Sequence, residues 1–127
     1  MDKLPYTLAI DFDGTLCEDK FPEIGAPNEC LISLLVEYKK MNPKVRYVLW
    51  TCRDNNTDEH HLDKAVAWCK EHGLEFDAVN KNIPEVIAMF NNDTRKVFAN
   101  KYIDDKNMSI SSLQWTLAQL LEDDFDA

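Results

Sequence analysis

Two pairs of acidic residues are the part of this sequence best suited to chemistry. Asp11 and Asp13 flank Phe12, and Asp104 is followed directly by Asp105. In an extended chain, residues two apart point to the same side, so the first pair can act together. Carboxylates that lie close together repel each other, and a cation is needed to keep both ionised. Because no His or Cys cluster accompanies these acids, the set predicts a hard, oxygen-seeking ion, and Mg²⁺ is the natural candidate.

Aspartates that follow strands also have an ordinary structural role. They are frequent in turns and at the N-termini of helices. For a single Asp that explanation is preferred. It becomes the weaker one when two pairs follow two different strands and are expected at the same edge of a sheet.

The segments that must position these acids alternate between strand and helix. The apolar pattern predicts strands at 6–10, 45–50, 75–79 and 97–103. Helices are predicted to begin at Pro27-Asn28 and to cover 58–72, 83–90 and 109–121, whereas 15–27 is predicted to be a loop. Such alternation indicates an α/β fold with a parallel sheet and right-handed crossovers.

Functional sites of open α/β sheets lie at the carboxyl ends of the strands. In this sequence those ends are 11–15, 51–54, 80–82 and 104–107. Three of these segments carry acids, hydroxyls or basic residues that suit phosphate chemistry, and the remaining segment carries Lys81. The sequence therefore predicts one site at this edge.

Three motifs in this order resemble those of a known superfamily. The run Asp11-Phe12-Asp13-Gly14-Thr15 after an apolar strand resembles the first motif of the haloacid dehalogenase-like (HAD) phosphohydrolases. Leu49-Trp50-Thr51 is similar to their second motif, and Tyr102-Ile103-Asp104-Asp105 to their fourth, the acidic pair. The resemblance implies a three-layer, Rossmann-like parallel sheet with helices on both faces.

The resemblance also implies roles for individual residues. Asp11 would be the nucleophile and would carry an aspartyl-phosphate intermediate. Asp13 would act as general acid and base, while its backbone carbonyl ligates Mg²⁺. Thr51 would bind the transferring phosphoryl group. Asp104 would complete the metal site with Asp11, supported by Asp105.

The third HAD motif is a lysine, and three residues compete for it. Lys96 precedes Asp104 by eight residues, so along a strand it would lie roughly 26 Å away, at the wrong end of the sheet. Lys101 is closer but still within the predicted strand. Lys81 follows the third strand and is preferred as the catalytic and phosphate-binding lysine. Similar capless sequences carry a lysine just before the last strand, which keeps Lys96 open.

Other candidate residues have weaker signals. Arg53 could grip a substrate phosphate or carboxylate with two hydrogen bonds, or could be a surface arginine. His60 and His61 are adjacent on a helix, do not share a face, and are interpreted as surface residues rather than metal ligands. Trp50 is expected in the core.

Bulk properties limit the remaining possibilities. The 127 residues suit one HAD-like domain spanning 1–127, with the cytoplasm as the default location. No apolar stretch approaches the length of a membrane span. The net charge of −9 disfavours nucleic acid and anionic membranes as partners. It also means that a phosphorylated substrate requires a metal or a local cation.

Neither 18–42 nor 82–96 has room for a cap domain. An open site would admit a small or macromolecular phosphorylated substrate, or a neighbouring subunit of a homo-oligomer would cover it. The function expected from the resemblance is a Mg²⁺-dependent phosphatase (a phosphomonoester hydrolase). The alternatives are a phosphotransferase or mutase of the same superfamily, and a non-catalytic phosphoacceptor or scaffold domain.

Overall fold

The computed structural model describes residues 4–104, which form six strands and three helices. In chain order these are β1 (Thr7–Ile10), β2 (Cys17–Lys20), β3 (Glu23–Pro27), α1 (Glu29–Met41), β4 (Arg46–Leu49), α2 (His61–Glu71), β5 (Ala78–Val79), α3 (Pro84–Phe90) and β6 (Lys101–Ile103). The helix predicted at 109–121 lies outside the described residues.

Four strands form a sheet in the order β5-β4-β1-β6, and each of its three strand pairs is parallel. Ile10 is in register with Leu49 on one side and with Ile103 on the other. The carboxyl ends of the three strands are therefore level. This is the Rossmann-like α/β fold with a parallel sheet that the alternating pattern predicts.

Two apolar clusters pack against the sheet. Tyr47 and Leu49 belong to the larger cluster with side chains of α1 and α2, whereas Val48 belongs to the smaller cluster with Val86 of α3. Because successive side chains of a strand point to opposite faces, these two clusters lie on opposite faces of the sheet. All four residues of β1 and the last three of β4 are buried, which explains why both strands are largely apolar rather than alternating.

The prediction that 15–27 is a loop is wrong, because β2 and β3 form an antiparallel hairpin there. Lys20 pairs with Glu23 next to the turn, and Asp19 pairs with Ile24. β2 is mostly exposed and polar, and β3 is a short, half-buried segment that ends in proline, so neither has the long apolar alternation by which strands are recognised. Gly25 is the residue that could have indicated the close approach of the two strands, because a Cβ at this position would lie 2.5 Å from the carbonyl oxygen of Glu18 on the facing strand.

The last predicted strand begins four residues later than expected, at Lys101 rather than at 97. The backbone N–H of Phe98 donates to the side-chain oxygen of Asn82 (2.7 Å), and the hydroxyl of Tyr102 donates to the carbonyl of Val97. These backbone groups therefore bond to side chains instead of to a neighbouring strand. Val97 is buried all the same, so its apolar character reflects core packing from a loop.

The remaining elements are also shorter than predicted. The third strand is limited to Ala78–Val79 instead of 75–79. Helix α2 begins at His61 instead of 58, because His60 has a left-handed backbone (φ 51°). Helix α1 begins at Glu29, after Asn28, whose side chain accepts a hydrogen bond from the N–H of Leu31. None of the three helices within residues 4–104 has the length and apolar character of a membrane span.

Candidate active site

The first acidic residue lies at the carboxyl edge, where backbone hydrogen bonds join the strand ends. The N–H of Asp11 donates to the carbonyl of Ile103 (2.9 Å), and the N–H of Trp50 donates to that of Ile10 (2.9 Å). The residues that follow β1, β4 and β6 are consequently held at one level. The convergence predicted from parallel strands is present at this edge.

Asp11 and Asp104 line the same small cavity, which has a volume of about 180 Å³. It is also lined by Ala9, Trp50, Tyr102 and Ile103. One carboxylate follows β1 and the other follows β6, the neighbouring strand. The structure therefore brings together two of the residues predicted as metal ligands. Trp50, 37 % exposed, contributes to this cavity rather than to the core, so the expectation that it is a core residue is wrong.

The turn after β1 fixes the orientation of Asp11. The carbonyl of Phe12 accepts hydrogen bonds from the N–H groups of Thr15 (3.1 Å) and Leu16 (2.9 Å), and Gly14 has the positive φ of 87° that this turn requires. The buried hydroxyl of Thr15 donates to Oδ2 of Asp11 at 3.2 Å. Thr15 is thus a site residue to which the sequence analysis gave no separate role, although it belongs to the motif.

Asp13 faces a different partner, the guanidinium of Arg53. Nε of Arg53 lies 2.8 Å from Oδ2 of Asp13, and Nη2 lies 2.8 Å from Oδ1. This is the bidentate geometry, with two parallel hydrogen bonds, in which arginine binds carboxylates most strongly. The hydrogen bonds that Arg53 donates to Asp13 raise the pKa of Arg53 above its ordinary value, against the opposing effect of burial. Asp13 is not among the residues that line the cavity of Asp11 and Asp104.

Arg53 also binds the hairpin. Nη1 donates to the carbonyl of Pro22 (3.2 Å) and Nη2 to that of Glu23 (3.0 Å). The guanidinium carbon lies 5.0 Å from the ring centres of both Phe12 and Phe21. With only 2 % exposure, Arg53 is not a surface arginine. Its role as a substrate ligand stays a prediction that this geometry disfavours, because all three guanidinium nitrogens are already engaged.

Thr51 is held in place by Asn80, which follows β5. The side-chain oxygen of Asn80 accepts from the N–H of Thr51 (2.8 Å), and its amide nitrogen donates to the carbonyl of Arg53 (3.1 Å). Asn80 has a φ of 54°, a conformation that asparagine tolerates better than most residues. Asn80 is a positioning residue that the sequence analysis did not single out; an Asn directly after a strand was its only signal.

The candidate lysines lie apart from one another. Lys81 follows Asn80 at the carboxyl edge and is exposed. Lys96 lies in the loop before β6 and lines a separate cavity of about 330 Å³, which shares Tyr102 with the cavity of Asp11. Lys101, the first residue of β6, is exposed. Because Lys96 is not in a strand, the distance argument against it no longer applies, and the choice between Lys81 and Lys96 stays open.

The oxygen donors at this edge fit Mg²⁺. The ion is typically held by one or two carboxylates, with water and substrate phosphate completing its coordination, and Asp11 and Asp104 provide such a pair. Within residues 4–104, no group of three or more His, Cys, Asp or Glu side chains converges. Because Arg53 binds the carboxylate of Asp13, the backbone carbonyl is the group of Asp13 that could reach a metal. Asp105 lies outside the described residues.

The two candidate histidines, His60 and His61, differ in exposure. The side chain of His60 is 58 % exposed, as predicted, but that of His61 is only 14 % exposed, so the prediction of a surface residue is wrong for His61. The His61 ring packs at an angle against Phe21 of the hairpin, with ring centres 5.2 Å apart. Its Nε2 lies 3.0 Å from the carboxylate of Glu59. His61 therefore helps to hold the hairpin turn against α2.

No family model and no curated protein matches the sequence. Among solved structures, the chain is similar to that of a conserved protein from Bacteroides thetaiotaomicron, with a TM-score of 0.66 and 34 % sequence identity. The match covers 91 % of this chain and 92 % of that chain. At this identity over nearly the whole of both chains, the chain belongs to the same family as this conserved Bacteroides thetaiotaomicron protein.

Proposed function

We propose that the protein is a Mg²⁺-dependent phosphomonoester hydrolase of the HAD type, acting through an aspartyl-phosphate on Asp11. The observation that carries this proposal is the shared cavity of Asp11 and Asp104 at the carboxyl edge of a parallel sheet. The first of the HAD-like motifs directly follows β1, and the last of them includes the end of β6. A pair of carboxylates in that position suits a bound Mg²⁺ ion, which would neutralise the charge of a phosphoryl group.

In the first step, a carboxylate oxygen of Asp11 forms a bond to phosphorus while the bond from phosphorus to the leaving oxygen breaks. The leaving oxygen keeps the electron pair of that bond and takes a proton from Asp13, which must give up one of its two contacts with Arg53 to hold that proton. In the second step, water attacks the same phosphorus, the bond to Asp11 breaks, and Asp13 receives a proton from that water. Asp11 and Asp104 would hold a Mg²⁺ ion, which when bound would supply positive charge to the reaction. Thr15 orients Asp11 throughout.

A three-layer HAD core without a cap is part of the same proposal. The two apolar clusters, one with side chains of α1 and α2 and one with a side chain of α3, support it. So does the position of the hairpin, which directly follows the proposed nucleophile in the chain. Between β1 and α1 the described chain contains only this hairpin, so a large substrate could approach the edge.

The test is hydrolysis of an aryl phosphate with and without Mg²⁺. We expect turnover that requires Mg²⁺ and stops in excess chelator, and Asp104→Asn should raise the Mg²⁺ concentration needed for half-maximal rate. The matched control is Asp58→Asn, an exposed aspartate in a loop before α2, which should leave the rate unchanged. Full activity in excess chelator would exclude the proposed metal dependence. Added glycerol separates hydrolysis from transfer, because a transferase would form glycerol phosphate.

A further inference from the structure

Arg53 contacts both the proposed acid–base residue and the hairpin that follows the nucleophile. On one side it makes two hydrogen bonds to the carboxylate of Asp13. On the other side it donates to two carbonyls at the turn of the hairpin, those of Pro22 and Glu23. The ring of Phe21 lies against the same guanidinium. A single buried side chain thus contacts both Asp13 and the turn end of the hairpin, whereas the other end of the hairpin is bridged to Asp13 directly at Cys17.

We infer that Arg53 is a positioning residue: it ties Asp13 to the turn of the β2–β3 hairpin, so that the location of Asp13 depends on the hairpin being seated on Arg53. This inference rests on the proposed function, because it assigns Arg53 an effect on the reaction through Asp13. It also replaces the expectation that Arg53 binds substrate directly.

The chemistry of the contact requires arginine. The planar guanidinium can bind both oxygens of one carboxylate while its remaining N–H groups reach carbonyls in a different direction. A lysine keeps the charge but lacks this planar fork, so it cannot reproduce the pair and the hairpin contacts together. Misplacement of a catalytic group by about 1 Å can cost roughly a hundredfold in rate. Loss of the planar guanidinium contact should therefore lower kcat, although Arg53 itself touches no reacting atom.

The first experiment compares Arg53→Lys with Arg46→Lys on an aryl phosphate. Arg46 is a matched control because it forms a comparable pair with Glu85 (2.6 Å) at the start of β4, the opposite end of the sheet. We expect kcat of Arg53→Lys to fall about tenfold or more, with KM changed much less. Arg46→Lys should keep the wild-type kcat. Equal or higher kcat for Arg53→Lys would overturn the inference.

A double-mutant cycle then tests whether Arg53 acts through Asp13. If it does, adding Arg53→Lys to Asp13→Asn should cause little further loss, because the group being positioned is already gone. A residue that merely stabilises the fold would instead give multiplicative losses in the two variants. Multiplicative losses would therefore contradict the positioning role.

A third variant, Phe21→Ala, leaves Arg53 and Asp13 in place and removes only the ring that lies against the guanidinium from the hairpin. Phe21 is 55 % exposed and contacts Arg53 only from the hairpin side, so Phe21→Ala should fold. We expect it to lower kcat by a few-fold and to increase hydrogen exchange of the hairpin amides. An unchanged kcat despite faster exchange would contradict the coupling. If the wild type hydrolyses no phosphate ester, the proposed function fails; if it does and Arg53→Lys is equally fast, only this inference fails.

Discussion

Asp11 and Asp13 have different surroundings, although Phe12 alone separates them. Asp11 lines a cavity with a second carboxylate and accepts a hydrogen bond from Thr15. Asp13 is paired with a buried arginine. The reason is that Phe12 is fully buried in the larger core cluster, with its carbonyl at the centre of the turn. Two identical side chains can therefore take two different roles, nucleophile and acid–base group.

This difference predicts unequal effects of the two amide substitutions. Asp11→Asn should abolish turnover, because an amide cannot form the acyl phosphate. Asp13→Asn should slow turnover by roughly 10²–10⁴-fold, the usual contribution of general acid–base catalysis. Steady-state rates with an aryl phosphate measure both. Near wild-type turnover by purified Asp11→Asn would show that the nucleophile is assigned wrongly.

The two lysines give a second prediction at the same scale. Lys81 directly follows Asn80, which is bonded to the Thr51 backbone, whereas Lys96 lines a neighbouring cavity. If Lys81 is the phosphate-site lysine, Lys81→Ala should cost more in kcat/KM than Lys96→Ala, because it would remove the positive charge that the proposed site needs. Kinetics of both variants, with folding checked by circular dichroism, decide between them. A larger loss for Lys96→Ala would reverse the assignment.

At the scale of elements, hydrogen bonds of two asparagines, the buried Asn82 and the exposed Asn100, hold the chain that precedes β6. Asn82 is completely buried; its amide nitrogen donates to Asp93 (2.8 Å) and to Thr94, and its oxygen accepts from the N–H of Phe98 (2.7 Å). Asn100 exchanges two hydrogen bonds with the backbone of Thr7, both 2.8 Å long. These contacts fix the loop between α3 and β6 and so determine where Lys96 lies.

Removing the Asn82 amide should destabilise the protein. Asn82→Ala leaves part-buried groups, among them the N–H of Phe98, without their hydrogen bonds, and a buried group left unpaired costs about 1–3 kcal/mol. We expect the free energy of unfolding, measured by urea denaturation, to fall by about that amount. Asn92→Ala is the matched control, because Asn92 is exposed in the same loop, and it should change stability much less. Equal stability of both variants would mean that the Asn82 contacts do not hold the loop.

At the scale of the whole molecule, the core contains two titratable thiols that no proposed reaction step uses. Burial raises the pKa of Cys69 from 9.0 to about 12, and burial together with the charge of Asp13 raises that of Cys17 from 9.0 to about 11. Both are almost fully buried. The neutral thiol is therefore the form that the folded protein favours.

This arrangement predicts a loss of stability at alkaline pH. Above pH 9 the thiols of the unfolded chain lose their protons, while those of the folded protein keep them up to about 11 and 12. The folded state then binds more protons than the unfolded state, so the free energy of unfolding decreases as pH rises through this window. Urea unfolding between pH 8 and about pH 10.5 measures the effect. A free energy of unfolding that stays constant over this range would contradict it.

The sequence by itself determined the parallel sheet and the edge at which the candidate site residues follow its strands. Apolar runs followed by Asp11, Thr51, Asn80 and Asp104 predicted parallel strands whose carboxyl ends meet, because strand period and chain alternation are local properties. From this order it also followed that Asp11 and Asp104 lie near each other, and the two residues line one cavity. Element boundaries were less accurate, since they depend on contacts between segments.

Only the tertiary structure decided how the remaining side chains are used. Arg53 and Asp13 lie 40 residues apart, and no feature of the sequence indicated that a buried arginine binds Asp13 and the hairpin together. The hairpin itself was missed because β2 is exposed and polar and β3 is short, so the hairpin depends on the pairing of its two strands and on Arg53, which periodicity does not show. The periodicity of apolar residues indicates which faces of the elements are buried. It does not indicate which buried polar groups bond to each other, because that depends on distances in three dimensions.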